Sequence, residues 1–371
     1  MNSRHRRQER VYDWNTPVIE SSLLPRRNYT YTLSIFEPFR ADCWWEHKLS
    51  PILATVYATA ALSRISFPSL WPVVVLALLA LIVCASYVSV LNDLTDAADD
   101  QASGKPRRWK GEFRIYPALL LACVAAGSGF LIIWRKDTAL FCAYLLCWLA
   151  FTLYSAPPFR LKARGIWGVL ADASGAHLFP TLFAVVLLYH WYRTEGSAGW
   201  IILIALWSFA AGVRGILWHQ LADADNDRKI GLRTFTFIHG AKAAERLGLV
   251  AFFLESAAFM AMLWFTHNAL ALLLLVSYGF FALARWRLIG IGVTVLKPGP
   301  ASRLAMAEYY IVLYPVAYLL MASWQKPAAL LLLLFHGVLF PRQGIYLVRD
   351  VVAMLRMDKS GAGPNPAVFH P

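Results

Sequence analysis

Apolar stretches long enough to cross the ~30 Å hydrocarbon core of a membrane recur along this chain. Nine of them lie at 48–67, 71–91, 115–134, 138–154, 169–190, 198–218, 244–265, 268–287 and 304–323. Hydrophobic residues make up 58% of the 371 residues and charged residues only 15%, too few to cover the surface of a soluble domain of this size. The pattern predicts an all-α integral membrane protein with about nine transmembrane helices.

Basic residues set the expected orientation of these helices. The formal net charge is +13, and the Lys and Arg residues lie in the tails and in short loops. This distribution fits anionic headgroups better than nucleic acid, so we expect membrane lipids as partners and no nucleic acid. The Arg-rich tail and every second loop are the most basic segments, and the positive-inside bias places them, with the N-terminus, in the cytoplasm.

Three regions follow from this pattern. We expect a basic cytoplasmic tail over 1–46, a transmembrane domain over 47–323 and a C-terminal hydrophobic segment with a tail over 324–371. The apolar segment 327–341 is short for a span, and it could equally be a tilted or interfacial helix. The Arg and Lys residues after it favour a cytoplasmic C-terminus, which would make it a tenth span.

An acidic motif, LNDLTDAADD, follows the second apolar stretch at residues 91–100. If the helix continues through it, Asn92, Asp96 and Asp100 share one face, because residues four apart lie nearly above each other. Asp93 sits one residue off that stripe. Neighbouring carboxylates repel unless a cation lies between them. A solvated helix end with scattered acids is the alternative, but Mg²⁺ held by carboxylates and substrate phosphates explains the cluster better.

A second acidic motif, HQLADADNDRKIGLRTF, occupies residues 219–235 after another apolar stretch. His219, Asp223 and Asp227 repeat the spacing of the first motif, whereas Asp225 points away from them. The glycine after the basic pair is a plausible helix stop. The two stripes could face each other across a cavity, each holding one metal ion, with a diphosphate between them. Neutralising a diphosphate makes it a better leaving group.

The loop YSAPPFRLKARG lies between the two acidic motifs, at residues 154–165. Its two prolines end the fourth helix, and Arg160, Lys162 and Arg164 follow at alternating positions. Taken alone this is an ordinary cytoplasmic loop. Because it falls on the same side of the membrane as both acidic motifs, its cations can contact the remaining oxygens of a bound diphosphate.

The three motifs resemble the signatures of the UbiA superfamily of intramembrane prenyltransferases. NDLTDAADD matches NDxxDxxxD, and DADNDRKIGLRT matches DxxxD followed by a short basic stretch, Gly and Thr. YSAPPFRLK is similar to the YxxPPxxxK loop of the chlorophyll synthase branch, and all three stand in family order between about residues 40 and 323. The resemblance implies nine helices around a central cavity open to the cytoplasmic side. It also implies Mg²⁺-dependent ionisation of an isoprenyl diphosphate and its transfer to a lipophilic acceptor.

The resemblance also implies roles for individual residues. Two Mg²⁺ ions would be bound by Asn92, Asp93, Asp96, Asp100, Asp223 and Asp227. The diphosphate would contact Lys105, Arg108, Arg160, Lys162 and Lys229. The catalytic residues would be Asp96, Asp100, Asp223, Asp227 and Tyr154, with the tyrosine near the reacting carbon.

The chain departs from the chlorophyll synthase pattern after the loop, where it reads GIWGVLADASG in place of an early Gly-Asn. A chlorophyll-type acceptor is therefore not expected. His219, Gln220 and Arg214 are not part of the family signature either. They could tune the choice of acceptor, or Arg214 could simply pair with a motif aspartate.

Other ionisable residues lie within the predicted spans, namely Asp172, His177, Glu255 and Glu308. Ionisable groups at such positions are functional candidates, because they are expensive to keep in a membrane. Asp172 and His177 could line the acceptor pocket. Satisfied hydrogen bonds between helices are the alternative for all of them.

Three other functions compete with prenyl transfer. A terpene cyclase of the same superfamily would use the same metal stripes and fold the cation onto itself. A polyprenyl-phosphate phosphoribosyltransferase is a further member of the superfamily, although the intact second motif is more typical of prenyl-diphosphate users. A cation transporter would place its acids near the membrane midplane, whereas here they cluster at one side.

Overall fold

The computed structural model describes residues 38–103, 113–299 and 301–360, and most of them are helical. The α-helices are α1 (Ala41–Trp44), α2 (Ser50–Leu62), α3 (Trp71–Ser103), α4 (Tyr116–Trp134), α5 (Thr138–Ser155), α6 (Ile166–Ala173), α7 (Phe179–Tyr192), α8 (Ala198–Ala222), α9 (Ala224–Ile230), α10 (Phe235–His239), α11 (Ala241–Thr266), α12 (Ala269–Ile289), α13 (Tyr314–Gln325), α14 (Leu330–Leu339) and α15 (Pro341–Ser360). Two short strands, β1 (Gly292–Thr294) and β2 (Ser302–Leu304), pair in parallel. Most of the predicted tail 1–46, together with Lys105 and Arg108, lies outside the described residues.

Seven helices of the described chain are long and apolar enough to cross a membrane, and an eighth is added if the bent pair at the C-terminal end counts as one span. The predicted first and ninth stretches fall at α2 and α13, which have 13 and 12 residues. Each is lengthened by a π-helical turn, Trp45–Leu49 before α2 and Tyr309–Leu313 before α13. The all-α class is confirmed, while the count of nine spans stays a prediction.

The outer surface of the bundle is apolar. Trp264, Phe280 and Val338, for example, expose 74%, 70% and 78% of their surface. A protein in water rarely exposes so much apolar surface, whereas in a membrane such side chains face the lipid. The interior packs aromatic rings against each other: Tyr144 lies 5.0 Å from Phe183 between ring centroids. Such contacts fix the helices relative to one another and so position the polar residues at their ends.

Helix α3 continues through the first acidic motif, as predicted. No Gly or Pro occurs between Pro72 and Gly104, so nothing in this stretch removes a backbone hydrogen bond or favours a non-helical backbone. Asp137 caps the start of α5, because its side chain accepts a hydrogen bond from the backbone N–H of Leu140 at 2.9 Å. The helix ends at Ser155, just before the two prolines, again as predicted.

The tenth apolar segment runs antiparallel to α2. Lys326 Nζ donates to Ser66 Oγ at 3.1 Å at one end. In the middle, His336 Nδ1 lies 3.3 Å from the hydroxyl of Tyr57. At the other end Trp45 Nε1 donates to the carbonyl of Leu339 at 2.7 Å. After Leu339 the chain bends by 81° into α15, so the two helices point in different directions.

Buried ion pairs join the helices that carry glutamates. Arg214 on α8 binds both carboxylate oxygens of Glu255 on α11, at 2.7 Å each. The same guanidinium donates to the carbonyl of Ala305, beyond β2, at 2.8 Å. Arg285 binds both oxygens of Glu308 at 2.8 and 2.9 Å. The expectation that Arg214 pairs with a motif aspartate is therefore wrong, and both glutamates have the structural role that was the alternative to a functional one.

Replacing Glu255 by Gln should lower the free energy of unfolding by about 3 kcal/mol, because it leaves the buried charge of Arg214 uncompensated. The measurement is the denaturation midpoint of the purified protein in mixed detergent. Glu245→Gln, an exposed position on the same helix, is the matched control and should change stability by less than about 0.5 kcal/mol. Equal midpoints for the two variants would contradict the assignment.

Candidate active site

The first acidic motif occupies the last turns of α3. The carboxylate of Asp93 pairs with Arg40, Oδ1 to Nη1 at 3.3 Å, and its other oxygen accepts from the hydroxyl of Tyr116 at 3.2 Å. The amide oxygen of Asn92 accepts a hydrogen bond from Ser155, the last residue of α5. These bonds fix the motif against the ends of two neighbouring segments and leave the next helical turn facing the loop after α5.

Loop residues supply the cations that the motif lacks in sequence. Arg160 Nη2 lies 2.5 Å from Asp99 Oδ2 and 3.4 Å from Asp96 Oδ1. Lys162 Nζ contacts the same oxygen of Asp96. The two acids expose 29–30% of their side chains, so these pairs lie at a partly solvated edge. The loop thus places two positive charges directly on the stripe that the sequence predicts to bind Mg²⁺.

Lys162 is the more enclosed of the two loop cations. Burial, helped by the charge of Arg40, lowers the pKa of Lys162 to about 8. The chain packs tightly here, since a Cβ on Gly168 would stand 2.9 Å from the Cα of Lys162. Only a glycine allows α6 to start this close to the loop.

The second acidic motif spans a helix junction. Helix α8 ends at Ala222, Asp223 has non-helical angles (φ −92°, ψ 4°), and α9 follows. The helix is therefore interrupted at Asp223, although the backbone N–H groups of Asp223 and Asp227 still donate to the carbonyls of His219 and Asp223, at 2.9 Å each. The predicted stop is confirmed at Gly231, which takes the left-handed conformation (φ 68°).

The two motif aspartates beyond the junction have different environments. Asp227 is 7% exposed, and its Oδ2 accepts a hydrogen bond from Thr234 Oγ1 at 3.0 Å. Asp225 is exposed and pairs with Arg228 at 3.1 Å, which agrees with its predicted direction away from the stripe. The site can therefore draw on Asp227 and Asp223, with Asp225 outside it.

Backbone contacts bring the three motifs to one end of the bundle. The N–H of Gly165 donates to the carbonyl of Arg233 at 3.0 Å, and Gly165 forms a parallel bridge with Thr234. Helix α9 contacts α3. The loop after α5 is thus joined to the first motif by ion pairs and to the second by backbone bonds, so it holds the two acidic segments on either side of itself.

Polar residues of the helix interior adjoin the second motif. Tyr154 lies within electrostatic reach of Asp172, Asp223 and Asp227. Lys48 Nζ stands 2.5 Å from His177 Nε2, and its charge also acts on Asp172. The predicted Asp172 and His177 therefore share one partner, at the start of the first predicted span.

Several predicted residues stand elsewhere. Gln220 is buried and accepts from the backbone N–H and the hydroxyl of Thr236, at 3.1 and 3.3 Å, so it anchors α10. Lys229 is exposed at the end of α9. His219 is also exposed. The charge of Lys48 acts on its imidazole ring.

The residues that hold the acids in place were not among the predicted site residues, namely Arg40, Lys48, Tyr116, Ser155 and Thr234. Ser155 and Thr234 stand inside recognised motifs, and Lys48 opens an apolar stretch, so these carried a signal. Arg40 and Tyr116 carried none, because only the folded chain brings them beside Asp93.

The donor chemistry of the site fits Mg²⁺. Carboxylate and amide oxygens are the ligands that this hard cation prefers. In the part of the chain that the structure describes, no three His, Cys, Asp or Glu side chains form a preformed metal cluster. Arg160 and Lys162 hold the oxygens of Asp96 and Asp99 instead. The site therefore suits a cation that arrives with an anionic ligand, to which the two basic side chains can turn.

The model of the UbiA prenyltransferase family matches residues 51–293, which include all three motifs. A 2-acylphloroglucinol 4-prenyltransferase of Humulus lupulus is 27% identical over 209 residues, 52% of this chain and 49% of that protein. A chloroplastic 2-acylphloroglucinol 4-prenyltransferase of the same plant is 27% identical over 201 residues, 51% of this chain and 47% of that protein. The chain thus spans about half the length of the curated relatives it matches.

Solved structures give the same fold. A UbiA homolog from Archaeoglobus fulgidus bound to GPP and Mg²⁺ superposes with a TM-score of 0.50 at 17% identity, covering 80% of this chain and 99% of that one. The same homolog bound to DMAPP and Mg²⁺ gives 0.52 at 18% identity, covering 78% and 99%. At this identity the likeness concerns the arrangement of helices.

Thr234→Val should lower the free energy of unfolding by about 1–2 kcal/mol, because Asp227 loses a buried hydrogen bond and α10 its N-cap. Thermal unfolding in detergent measures this. Thr194→Val is the matched control: the Thr194 hydroxyl is buried and has no hydrogen-bond partner among the described residues. If both variants unfold at the wild-type temperature, Thr234 does not hold Asp227.

Proposed function

The chain belongs to the UbiA prenyltransferase family, as its motifs indicate, and from that membership we propose that it is a Mg²⁺-dependent intramembrane prenyltransferase. It would ionise an isoprenyl diphosphate, release the diphosphate and transfer the prenyl group to an aromatic or other lipophilic acceptor. The aromatic acceptor class is supported by the names of the two Humulus lupulus relatives. The use of Mg²⁺ is supported by the archaeal homolog, whose structures hold Mg²⁺ with GPP or DMAPP.

One observation carries the proposal: Arg160 and Lys162 lie on the acids of the first motif, in a loop whose backbone is bonded to the second motif. Acids and bases in this arrangement neutralise each other. A diphosphate with divalent cations can replace both members of these ion pairs. The divalent cations would bind the carboxylates, and the diphosphate would bind the guanidinium of Arg160 and the ammonium of Lys162. The family signature predicts the same division of roles.

We assign the ligands as the motifs indicate. One Mg²⁺ would be held by Asn92, Asp96 and Asp100, with Asp93 in a supporting role, and the other by Asp223 and Asp227. Bound Mg²⁺ would neutralise the diphosphate and make it a better leaving group. Besides Arg160 and Lys162, the diphosphate would contact Lys105, Arg108 and Lys229.

The chain's own residues would carry the rest of the reaction. The bond between the first prenyl carbon and the diphosphate oxygen breaks, and its electron pair leaves with the diphosphate. Arg160 and Lys162 stabilise that added charge. Tyr154, next to the second motif, would face the allylic cation with its ring. The acceptor then attacks that carbon with a pair of π electrons and loses a proton, for which His177 and Asp172 are the candidates.

We propose the membrane topology on the same basis. Nine helices would surround a central cavity whose mouth faces the cytoplasm, with the N-terminus on that side. The transmembrane domain would run from 47 to 323, after the basic tail 1–46, with residues 324–371 as a separate C-terminal region. The pairing of the tenth segment with α2 at both ends supports a further crossing.

Asp96→Ala and Asp227→Ala should each abolish turnover, with a fall of roughly a thousandfold, while leaving the protein folded. Mg²⁺-dependent diphosphate release by the purified protein is the readout. Asp225→Ala is the matched control from the same acidic run and should keep near wild-type activity, because Asp225 is exposed and pairs with exposed Arg228. Full activity of a well-folded Asp96 or Asp227 variant would refute the two-metal scheme.

Substrate affinity should fall as the pH rises through about 8. Below the lowered pKa of Lys162 its ammonium is charged and binds the diphosphate, and above it the charge is lost. The KM for an isoprenyl diphosphate, measured from pH 6 to pH 10, should therefore rise near pH 8. Lys162→Met should give a high KM without this step, whereas Lys162→Arg, which stays charged, should delay the rise. A step that persists in Lys162→Met would assign the titration to another group; Lys242→Met controls for an exposed lysine.

The cyclase, phosphoribosyltransferase and transport alternatives are separated by products. The purified protein would receive geranyl, farnesyl or geranylgeranyl diphosphate in turn, with Mg²⁺ or with EDTA. Diphosphate release that needs an aromatic acceptor supports the transferase. Release without acceptor, with a cyclic product, supports the cyclase. If none of the three substrates gives diphosphate release, phosphoribose transfer and cation flux in liposomes would be measured next.

A further inference from the structure

Helix α15 has one face that contacts the helix bundle and an opposite face that is exposed. One face is fixed to the bundle: Asp350 pairs with buried Arg285 at 2.9 Å, and Met354 packs on Ile289. At its first turn the backbone N–H groups of Arg342 and Gln343 donate to the two oxygens of Glu46, at 2.6 and 2.8 Å. A carboxylate at this position satisfies the free N–H groups of a helix start, so α15 is held firmly.

The opposite face of α15 is apolar and exposed. Ile345, Val348, Val352 and Leu355 expose 48%, 63%, 40% and 60% of their surface. At ~100° per residue they fall within an arc of roughly 80° on the helix. An exposed stripe of branched aliphatic side chains along one face of a helix is typical of helices lying at a membrane surface.

Three exposed arginines border this stripe. Arg342, Arg349 and Arg356 are seven residues apart, so they form a line along one flank of α15. Tyr346 organises two of them: its hydroxyl accepts from Arg342 Nε at 3.3 Å, and its ring lies 6.0 Å from the guanidinium carbon of Arg349. The acid on this part of the helix, Asp350, is buried against Arg285, so the exposed flank is positively charged.

The position of α15 relates it to the candidate active site. Glu46, which holds its first turn, is two residues before Lys48 and six after Arg40, the partner of Asp93. The helix therefore lies at the end of the bundle that carries the acidic motifs. The 81° bend after Leu339 directs it away from the preceding apolar helix.

We propose that α15 lies in the plane of the membrane surface on the active-site side, with its apolar stripe among the acyl chains and its three arginines on anionic phospholipid headgroups. Each basic side chain near a charged surface adds to the attraction, and the apolar stripe sets the depth. Because α15 is bonded to Glu46 and Arg285, a lipid surface that holds it also holds the start of the first predicted span.

Site-directed spin labelling of the full-length protein in vesicles tests the orientation. Labels would be placed in turn at Ile345, Val348, Val352 and Leu355, with exposed Cys43 and Cys142 replaced by Ser. The relative collision rates with oxygen and with a water-soluble nickel chelate report depth. Four equal depths below the headgroups are expected. At ~1.5 Å per residue α15 is long enough to span a membrane, so a steady change of depth along it would overturn the proposal, as would four water-exposed labels.

Binding of phosphatidylglycerol in phosphatidylcholine vesicles tests the lipid class. The triple variant Arg342→Gln, Arg349→Gln, Arg356→Gln should weaken retention of the anionic lipid by roughly tenfold or more. The matched control is Lys242→Gln, Arg246→Gln, Arg287→Gln, which removes the same charge from other exposed sites at this end. Equal retention by the two triple variants, or equal retention of phosphatidylcholine and phosphatidylglycerol by the wild type, would overturn the assignment of the headgroup site.

Discussion

A charge inside an apolar bundle must be compensated by an opposite charge, and this requirement sets the positions of the elements around the candidate site. The bundle interior is a poor solvent for ions, so an unpartnered one would cost several kcal/mol. Arg214 and Glu255 meet this requirement between α8 and α11, while Arg285 joins Glu308 to Asp350. These pairs connect α8 to α11, and α12 to the segments that carry Glu308 and Asp350. Helix α8 leads directly into the second acidic motif.

The candidate site also pairs opposite charges, but its ion pairs can be replaced by pairs with bound ligands. Asp96, Asp99 and Arg160 are only partly buried, and Arg160 and the more enclosed Lys162 contact the two acids at a partly solvated edge. Pairs of this kind are weak enough to be replaced by stronger partners. Divalent cations alone would leave the two basic side chains without their acids, and an anion alone would leave the acids without their bases. Metal and diphosphate binding should therefore favour each other.

The C-terminal region extends this arrangement to the membrane surface. The segment before α15 returns along α2 and ends beside Trp45. Helix α15 is then fixed by Glu46, close in the chain to Lys48 and Arg40, which contact His177 and Asp93. The start of the first predicted span thus contacts both the interior polar residues and the surface helix, and a lipid surface that positions α15 would position it too.

The sequence alone determined the membrane class, the continuation of α3 through its acids, the ends of α5 and α9, and the family, because apolar length, helix breakers and motif spacing are local properties. It did not determine the junction at Asp223, the pairing of Arg214 with Glu255, or the presence of Arg40 and Lys162 beside the acids. The contacts of Arg40, Lys162 and Arg214 join residues 41 to 66 positions apart in the chain. Their partners are chosen by which helix ends pack together, and only the tertiary structure decides that.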